Sequence, residues 1–215
     1  MEALQQQLQS GIQQLELDIP AAQQQQLLNF IQLLQKWNKV YNLTSIREAH
    51  KMVDLHLLDS LVILPFFQQQ TDIHRVLDVG TGGGIPGIPL AICLPDIEFV
   101  LLDARSKKIR FLQTVIAQLG LTNVTAVHRR VEDYQTEEGD KFDRIISRAF
   151  DSLEDMLTLT RHLCAKQGKF LAMKGQLPEQ EIAQLPEGFR IEQIHPLTIN
   201  GLNIQRHLIQ IVFKS

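Results

Sequence analysis

The stretch VLDVGTGGGIPGIPLAI, from Val76 to Ile92, combines an apolar run with five glycines and two prolines. An apolar segment holds this many glycines where its backbone has to pass close to a ligand or to another part of the chain. A strand that feeds such a loop into a helix also presents free N–H groups to a ligand. The stretch therefore predicts a strand–loop–helix unit that binds a small molecule at the loop.

The sequence beyond this stretch alternates short apolar runs with amphipathic segments, which favours a parallel sheet with right-handed helical crossovers. Ser106 is expected to cap a long helix that stops at Gly120. The last two strand-like runs follow each other with a loop around Asn200 and Gly201 and no helix between them, which predicts a closing antiparallel hairpin. The expected strands cover residues 75–80, 97–103, 124–128, 143–147, 169–173, 190–196 and 206–213, and the expected helices cover residues 86–94, 106–119 and 152–164.

The first 70 residues have a different character, because they contain one glycine and many glutamines among regularly spaced leucines and isoleucines. Glutamine is a good helix former, so these runs indicate solvated helix faces. One amphipathic helix is expected from Pro20 to Tyr41 and a second over residues 47–64. The chain is thus predicted to have a helical N-terminal lobe over residues 1–70 and a sheet domain over residues 71–215.

The composition excludes several classes of protein. The chain has 215 residues with a formal net charge of -3, so bulk basicity does not explain any binding of a polyanion, which would need a local basic patch. Two isolated cysteines make neither a disulfide framework nor a zinc site, and no metal site is expected. The sequence shows no secretory signal and no apolar run long enough for a membrane span, so a cytoplasmic location without a membrane partner is predicted. Nothing in the sequence requires more than a monomer, and a monomer is expected.

Asp103 ends the strand after the glycine loop, where a carboxylate can accept hydrogen bonds from both ribose hydroxyls of an adenosine. The residues leave two cofactors open, because Gly82, Gly84 and Gly87 also satisfy the G-x-G-x-x-G pattern of NAD-binding proteins. Asp78 favours S-adenosylmethionine, since an acid inside the first strand can organise the loop near the cationic methionyl end. A tight turn that binds nothing is the third possibility.

The sequence also restricts the acceptor of a methyl group. The segment after the fourth strand reads SRAF (Ser147–Phe150), not the N/D-P-P-Y/F loop that commonly aligns an exocyclic amine. Neither Cys93 nor Cys164 lies at a strand end where a cysteine nucleophile is needed. The absence of an obvious general base is compatible with an acceptor such as guanine N7, which has an exposed lone pair and no proton to remove.

Three cations are expected to converge on the same crevice. Arg148 and Lys174 follow the fourth and fifth strands, and Arg206 begins an antiparallel strand whose amino end reaches that edge. In a chain of negative net charge, this convergence predicts a focused site for a phosphate or a guanine carbonyl oxygen. These residues would orient the substrate, and no residue is expected to act as a catalytic acid or base.

Several motifs in this order resemble the bacterial small-subunit ribosomal RNA methyltransferase G family, once called glucose-inhibited division protein B. The resemblance covers nearly the whole chain, including the helical lobe. The glycine stretch carries it together with SRAF and with KWNKVYNLTS (residues 36–45), HLLDS (56–60), KGQ (174–176) and RHL (206–208).

The resemblance implies a class I S-adenosylmethionine-dependent methyltransferase fold, Rossmann-like, with a mostly parallel sheet closed by the C-terminal hairpin. It implies transfer of a methyl group to N7 of guanine-527 in the decoding-region loop of 16S rRNA, with free 16S rRNA or the small ribosomal subunit as partner. An NAD-dependent oxidoreductase and a non-catalytic ribosome-assembly factor that retains the fold are the alternatives. The expected cofactor residues are Asp78, Gly80, Gly82, Ile85, Asp103, Val131, Glu132 and Arg148.

The HLLDS motif places His56 and Asp59 one helical turn apart, which predicts a buried polar pair. Its match to the family suggests that the two residues help to join the lobe to the active crevice.

Overall fold

A computed structural model of the chain describes residues 2–70, 72–148, 150–199 and 204–214. The loop predicted around Asn200 and Gly201 lies outside the described residues. None of the helices in the described part of the chain combines the length and the hydropathy that are needed to cross a membrane.

In the described part of the chain, five α-helices and one π-helical turn precede the sheet. The expected helix from Pro20 is present, but the single helix expected over residues 47–64 is divided, because the Asp59 N–H donates to Asp54 O, five residues back, and opens a π-helical turn. The elements are α1 (Glu2–Gln14), α2 (Ala21–Tyr41), α3 (Ala49–Met52), the π-helix (Val53–Leu58), α4 (Asp59–Leu61) and α5 (Pro65–Gln68).

The remaining chain alternates strands and helices as the sequence predicts. Gly120 ends its helix in the left-handed region, with φ 64°, whereas Ser106 does not cap that helix; Arg105 holds the cap position and Ser106 is the first helical residue. The elements are β1 (Arg75–Val79), α6 (Gly87–Cys93), β2 (Glu98–Asp103), α7 (Ser106–Leu119), β3 (Val124–His128), β4 (Phe142–Ser147), α8 (Leu153–Thr160), β5 (Cys164–Lys174), α9 (Glu179–Ala183), β6 (Phe189–Ile199) and β7 (Ile204–Phe213), with short 3-10 turns at Val131–Asp133, Glu138–Asp140 and Arg161–Leu163.

The seven strands of the described residues form one mixed sheet in the order β3-β2-β1-β4-β5-β7-β6. The first five strands pair in parallel, with Leu77 of β1 opposite Val100 of β2, and β7 pairs antiparallel to both β5 and β6. The predicted closing hairpin is therefore present. Because β1 is the central one of the five parallel strands and the chain crosses from β3 over to β4, the carboxyl ends of β1 and β4 border the crevice where such sheets bind ligands.

Each face of the sheet carries its own apolar core, because alternate strand residues point to opposite faces. Val76 faces a large core shared with α1, α2, α6 and α7, whereas Leu77 faces a smaller core shared with α8. The N-terminal helices thus cover one face of the sheet, and Leu8 and Leu208, near the two ends of the chain, belong to the same cluster. The domain boundary near residue 70 stays a prediction.

Candidate active site

The glycines of the loop between β1 and α6 serve two different purposes. Gly80 and Gly82 take φ values of 67° and 61°, which residues other than glycine rarely adopt. A Cβ on Gly84 would meet the Ile88 side chain at 2.6 Å, and a Cβ on Gly87 would meet Leu101 Cδ2 at 2.3 Å. The later glycines therefore let α6 pack tightly against the rest of the protein, and only the earlier part of the loop is left for a ligand.

Asp78 lies beneath this loop and is 1% exposed. Its Oδ2 accepts hydrogen bonds from the Thr81 hydroxyl (2.7 Å) and from the Gly87 N–H (2.9 Å). Its Oδ1 has no hydrogen-bond partner within the described residues. Burial raises the pKa of Asp78 to about 7, and the two hydrogen bonds and the Arg148 charge oppose that rise. The carboxyl group therefore ties the start of α6 to β1.

Asp103, at the end of β2, connects the second strand to the loop. Its Oδ2 accepts from the Gly82 N–H (3.0 Å) and its Oδ1 accepts from the Arg105 N–H (2.9 Å). The Lys108 ammonium lies 3.5 Å from Oδ2. Because each carboxylate oxygen has room for a second hydrogen bond, Asp103 can hold the loop and still accept from ligand hydroxyls.

A cavity of about 300 Å³ opens above these residues at the carboxyl edge of the sheet; we call it the glycine-loop cavity. Four of the predicted cofactor residues line it: Gly80, Asp103, Val131 and Glu132. Its other lining residues are Val79, Leu102, Ala104, Arg105, Lys108, Arg129, Arg130 and Phe150.

The other predicted cofactor residues lie outside the cavity wall. Asp78 and Gly82 act on the loop through the hydrogen bonds described above. Ile85 is buried in the larger core, next to the position that a Cβ on Gly83 would take. Arg148 lines a neighbouring cavity instead. The roles of all eight residues toward a cofactor stay predictions.

Sequence reasoning missed the cations around the glycine-loop cavity. Arg129 and Arg130 directly follow β3, and Arg105 follows β2 by two residues. The rule that ligands bind beyond the carboxyl ends of parallel strands would have found all three. Phe150 was noticed only as part of the SRAF motif, and its place in the wall depends on the path of the chain after β4.

A second cavity, of about 260 Å³, brings together the three cations that the sequence predicts to converge. Its wall is made by Asp59, Arg148, Met173, Lys174, Gly175 and Arg206, and we call it the arginine cavity. The three basic side chains come from the ends of β4 and β5 and from the beginning of β7, as expected from the topology.

Asp59 organises the arginine cavity and is almost fully buried. Its Oδ2 accepts from Arg148 Nη1 at 2.8 Å, and its Oδ1 accepts from Arg206 Nε at 2.6 Å. Lys174 is held separately by Glu181, with 2.9 Å between Nζ and Oε2. The carboxylates fix the direction of the cations and offset part of their charge, so the cavity is suited to orienting a polar group.

The His56 and Asp59 side chains are both buried, but they bind different partners. The predicted pairing of these two side chains with each other is therefore wrong. The Thr44 hydroxyl lies 2.9 Å from His56 Nε2, and Nδ1 lies 3.0 Å from Leu55 O. Burial, followed by the nearby Arg148 charge, lowers the pKa of His56 to about 4. Burial also lowers the pKa of Arg148, and Asp59 opposes that change. The imidazole is therefore neutral at neutral pH and does not add to the positive charge of the cavity.

The walls of the two cavities are in contact. Arg148 and Lys174 line the arginine cavity, and Phe150 lines the glycine-loop cavity. Lys174 Nζ donates a hydrogen bond to Phe150 O at 3.3 Å, so a side chain of one wall bonds the backbone of the other. Among the described residues, no cluster of three or more His, Cys, Asp or Glu side chains is placed to hold a metal ion.

A family model for rRNA small subunit methyltransferase G matches residues 23–209 of the chain. The chain belongs to this family. Curated relatives named ribosomal RNA small subunit methyltransferase G include one from Shewanella amazonensis, 53% identical over 91% of this chain and 92% of the relative. Another, from Idiomarina loihiensis, is 47% identical over 99% of this chain and 100% of the relative. The resemblance stated from the sequence motifs is confirmed.

Solved structures support the fold. The glycopeptide N-methyltransferase MtfA in complex with S-adenosyl-L-methionine superposes with a TM-score of 0.60 at 12% identity, covering 73% of this chain and 94% of that one. A SAM-dependent methyltransferase from Aquifex aeolicus superposes with a TM-score of 0.56 at 16% identity, covering 75% of this chain and 97% of that one. The predicted class I methyltransferase fold is confirmed.

Proposed function

We propose that the chain transfers a methyl group from S-adenosylmethionine to N7 of guanine-527 in 16S rRNA. The observation that carries the proposal is the adjacency of the glycine-loop cavity and the arginine cavity at the carboxyl edge of a methyltransferase fold. Membership of the rRNA small subunit methyltransferase G family supports the RNA substrate. We further propose that the chain acts as a monomer in the cytoplasm, on free 16S rRNA or on the small ribosomal subunit.

The residues of the glycine-loop cavity fit S-adenosylmethionine. Asp103 would accept hydrogen bonds from the ribose hydroxyls, Val131 and Glu132 would lie against the adenine, and Gly80 would let the backbone approach. The unpartnered Oδ1 of the buried Asp78 suits the cationic methionyl end. When bound, this cofactor supplies a methyl group on a positively charged sulfur.

The arginine cavity suits the guanine and its phosphates. N7 carries a lone pair in the plane of the base and has no proton, so the chain needs no general base. Arg148 and Arg206 have donors that match the guanine O6 or a phosphate oxygen, and Asp59 holds both guanidinium groups before the substrate arrives. The protein thus contributes orientation and exclusion of water.

The rival functions make different predictions. An NAD-dependent oxidoreductase would bind NADH in the same cavity, and titration with NADH fluorescence as the readout separates the two cofactors. Family membership gives no support to that alternative. A non-catalytic assembly factor would bind the cofactor or RNA without turnover.

The experiment that tests the proposal is incubation of the purified chain with methyl-labelled S-adenosylmethionine and 16S rRNA that lacks the modification. The RNA is offered as a free transcript and as small ribosomal subunits, and the labelled nucleotide is then mapped. Label at N7 of a single guanine is the expected result. No label at guanine N7 in either form of the RNA would show that the proposal is wrong.

A further inference from the structure

The end of α2 forms an exposed surface that combines aromatic, aliphatic and basic side chains; we call it the α2 tip. Val40 is 71% exposed and Tyr41 is 38% exposed, which makes them two of the three large apolar side chains that are exposed among the described residues. Lys36 and Lys39 lie on the same helical end and are exposed. Nothing in the two cavities accounts for this surface.

The aromatic part of the α2 tip is held in a fixed orientation. The Trp37 and Tyr41 rings stack with their centroids 5.2 Å apart and an interplanar angle of 27°. Trp37 in turn packs on Phe111 of α7, with 5.8 Å between ring centroids. Because Trp37 is fixed by its contact with Phe111, the Tyr41 ring stacked on it is already ordered. A ligand that binds the exposed side of this ring therefore loses little free energy to ordering it. Such rigid aromatic rings are the platforms on which unpaired bases stack.

The charge of this region is positive in a chain of negative net charge. Residues 21–47 contain Lys36, Lys39 and Arg47 and no aspartate or glutamate, whereas the whole chain has 24 acids against 21 lysines and arginines. Within the described residues, no carboxylate forms an ion pair with Lys36 or Lys39. By contrast, Asp59 and Glu181 partly neutralise the arginine cavity. The α2 tip therefore offers charge that is free to attract a polyanion.

The α2 tip lies on the same edge of the sheet as the two cavities. Near its start, α2 contacts the end of α7 through Gln26 Nε2 and Leu119 O (3.1 Å), on the amino side of the sheet. Leu34, further along α2, lies against the glycine loop at Gly83. At 1.5 Å per residue, Tyr41 stands roughly 10 Å beyond that contact.

The chain after Tyr41 leads back to the arginine cavity. The Asn38 side chain fixes this segment by donating to Ile46 O (3.0 Å) and accepting from the Thr44 N–H (2.9 Å). Thr44 bonds His56, whose neighbour Leu55 accepts from Arg148 Nη1 at 3.4 Å. The α2 tip and the arginine cavity are thus joined by one short series of contacts.

We propose that the α2 tip binds single-stranded nucleotides of the substrate RNA next to the target guanine, with a base on Tyr41 and phosphates at Lys36 and Lys39. This inference rests on the proposed function, because it requires an RNA substrate. An acidic protein surface would also be attracted by the charge, but it would not use the flat face of the Tyr41 ring.

The first test replaces side chains and measures methylation. Tyr41→Ala raises the KM for RNA roughly 5- to 150-fold, the range for loss of one stacked base, whereas Tyr41→Phe keeps the wild-type KM. Lys36→Gln combined with Lys39→Gln also raises the KM, and it reduces the slope of log affinity against log salt concentration by about 1.4 to 1.8. The kcat and the affinity for S-adenosylmethionine stay unchanged in each variant.

The matched control is Lys166→Gln combined with Lys214→Gln, two exposed lysines of a basic cavity that lies between the 3-10 turn at Arg161–Leu163, the start of β5 and the end of β7, away from the two cavities. An equal loss of affinity in this control would overturn the proposal, because bulk charge would then explain the effect. An unchanged KM for Tyr41→Ala would also overturn it.

The second test is cross-linking from a photoreactive p-benzoylphenylalanine in place of Val40, with small ribosomal subunits that lack the modification. Cross-links to 16S rRNA near the methylated guanine support the proposal, and cross-links to ribosomal protein alone overturn it. The two proposals fail differently. If the wild-type chain methylates RNA but the chain with the photoreactive residue at position 40 gives no such cross-link, only the role of the α2 tip is contradicted, whereas no methylation by the wild-type chain contradicts the proposed function.

Discussion

At the scale of single residues, the Asp103 carboxylate combines two tasks. It holds Gly82 and Arg105 through their backbone N–H groups, and we propose that it also accepts hydrogen bonds from the ribose hydroxyls. Asp103→Ala is expected to weaken S-adenosylmethionine binding by about 1–3 kcal/mol, because charge-assisted hydrogen bonds are lost. Isothermal calorimetry measures the change. Asp96→Ala, which removes an exposed acid, serves as the control, and equal affinities of the two variants would contradict the role of Asp103.

Asp78 predicts a pH dependence of cofactor binding. Its pKa of about 7 is set chiefly by burial, and a positively charged ligand beside Oδ1 would lower that pKa. Binding below pH 7 therefore releases a proton, and the affinity for S-adenosylmethionine rises by up to roughly tenfold per pH unit as the pH increases toward 7. Calorimetry in buffers with different ionisation enthalpies detects the released proton. The proton release is expected to disappear in Asp78→Asn.

The same residue, Asp78, gives the stability of the empty protein a pH dependence opposite to that of cofactor binding. An unfolded aspartate ionises near pH 3.8, whereas folded Asp78 ionises near pH 7. Between these values the folded state binds more protons than the unfolded state, so the contribution of Asp78 to stability falls as the pH rises from about 4 to 7 and is constant above that. The buried acid is thus unfavourable for the empty protein at neutral pH, which is consistent with a residue kept for its ligand.

At the scale of elements, the packing of α6 against the sheet depends on Gly87. A Cβ at this position would meet Leu101 Cδ2 at 2.3 Å and Asp78 Oδ2 at 2.7 Å. Gly87→Ala is expected to lower the free energy of unfolding by about 1–3 kcal/mol, and chemical denaturation measures it. Gly139→Ala is the matched control, because a Cβ there has no atom within 4 Å. A Gly87→Ala variant as stable as this control would show that α6 can shift freely.

The strands β1, β2 and β4 were predictable because each is a short, mostly buried apolar run. The strands β5 and β6 have 11 residues each and extend beyond the predicted residues 169–173 and 190–196, because their additional residues do not form an apolar run. The π-helix was not predictable, because its hydrogen bonds, such as the one from the Asp59 N–H to Asp54 O, span five residues instead of four. This change does not alter the apolar pattern of the sequence around it. Ser106 was misjudged as a cap because residue type alone does not show where the helical dihedral angles begin.

For the candidate site, topology predicted that Arg148, Lys174 and Arg206 meet, because the ends of β4 and β5 and the start of β7 lie at one edge. The bridge through Asp59 was beyond sequence reasoning, since Asp59 is 89 residues from Arg148 and 147 residues from Arg206. Local spacing carries no information about contacts at such separations.

At the scale of the whole molecule, the larger core joins the N-terminal helices to the sheet. Leu8, Leu34 and Phe67 from the helices belong to the same buried cluster as Val76 and Leu101 from the strands. The predicted boundary near residue 70 therefore divides the chain by composition, while the shared core predicts cooperative unfolding of both parts.

The single tryptophan, Trp37, makes this prediction testable, because its fluorescence reports on the helical lobe while far-UV circular dichroism reports on the whole chain. The two thermal transitions are expected to coincide. S-adenosylmethionine at 100 times its dissociation constant adds about 2.7 kcal/mol to the free energy of unfolding. The glycine-loop cavity that would hold it is lined by residues of the sheet domain. Because the core is shared, the cofactor is nevertheless expected to shift both thermal transitions equally. A fluorescence transition that comes earlier, or that the cofactor leaves unmoved, would contradict the shared core and would mean that the lobe unfolds alone.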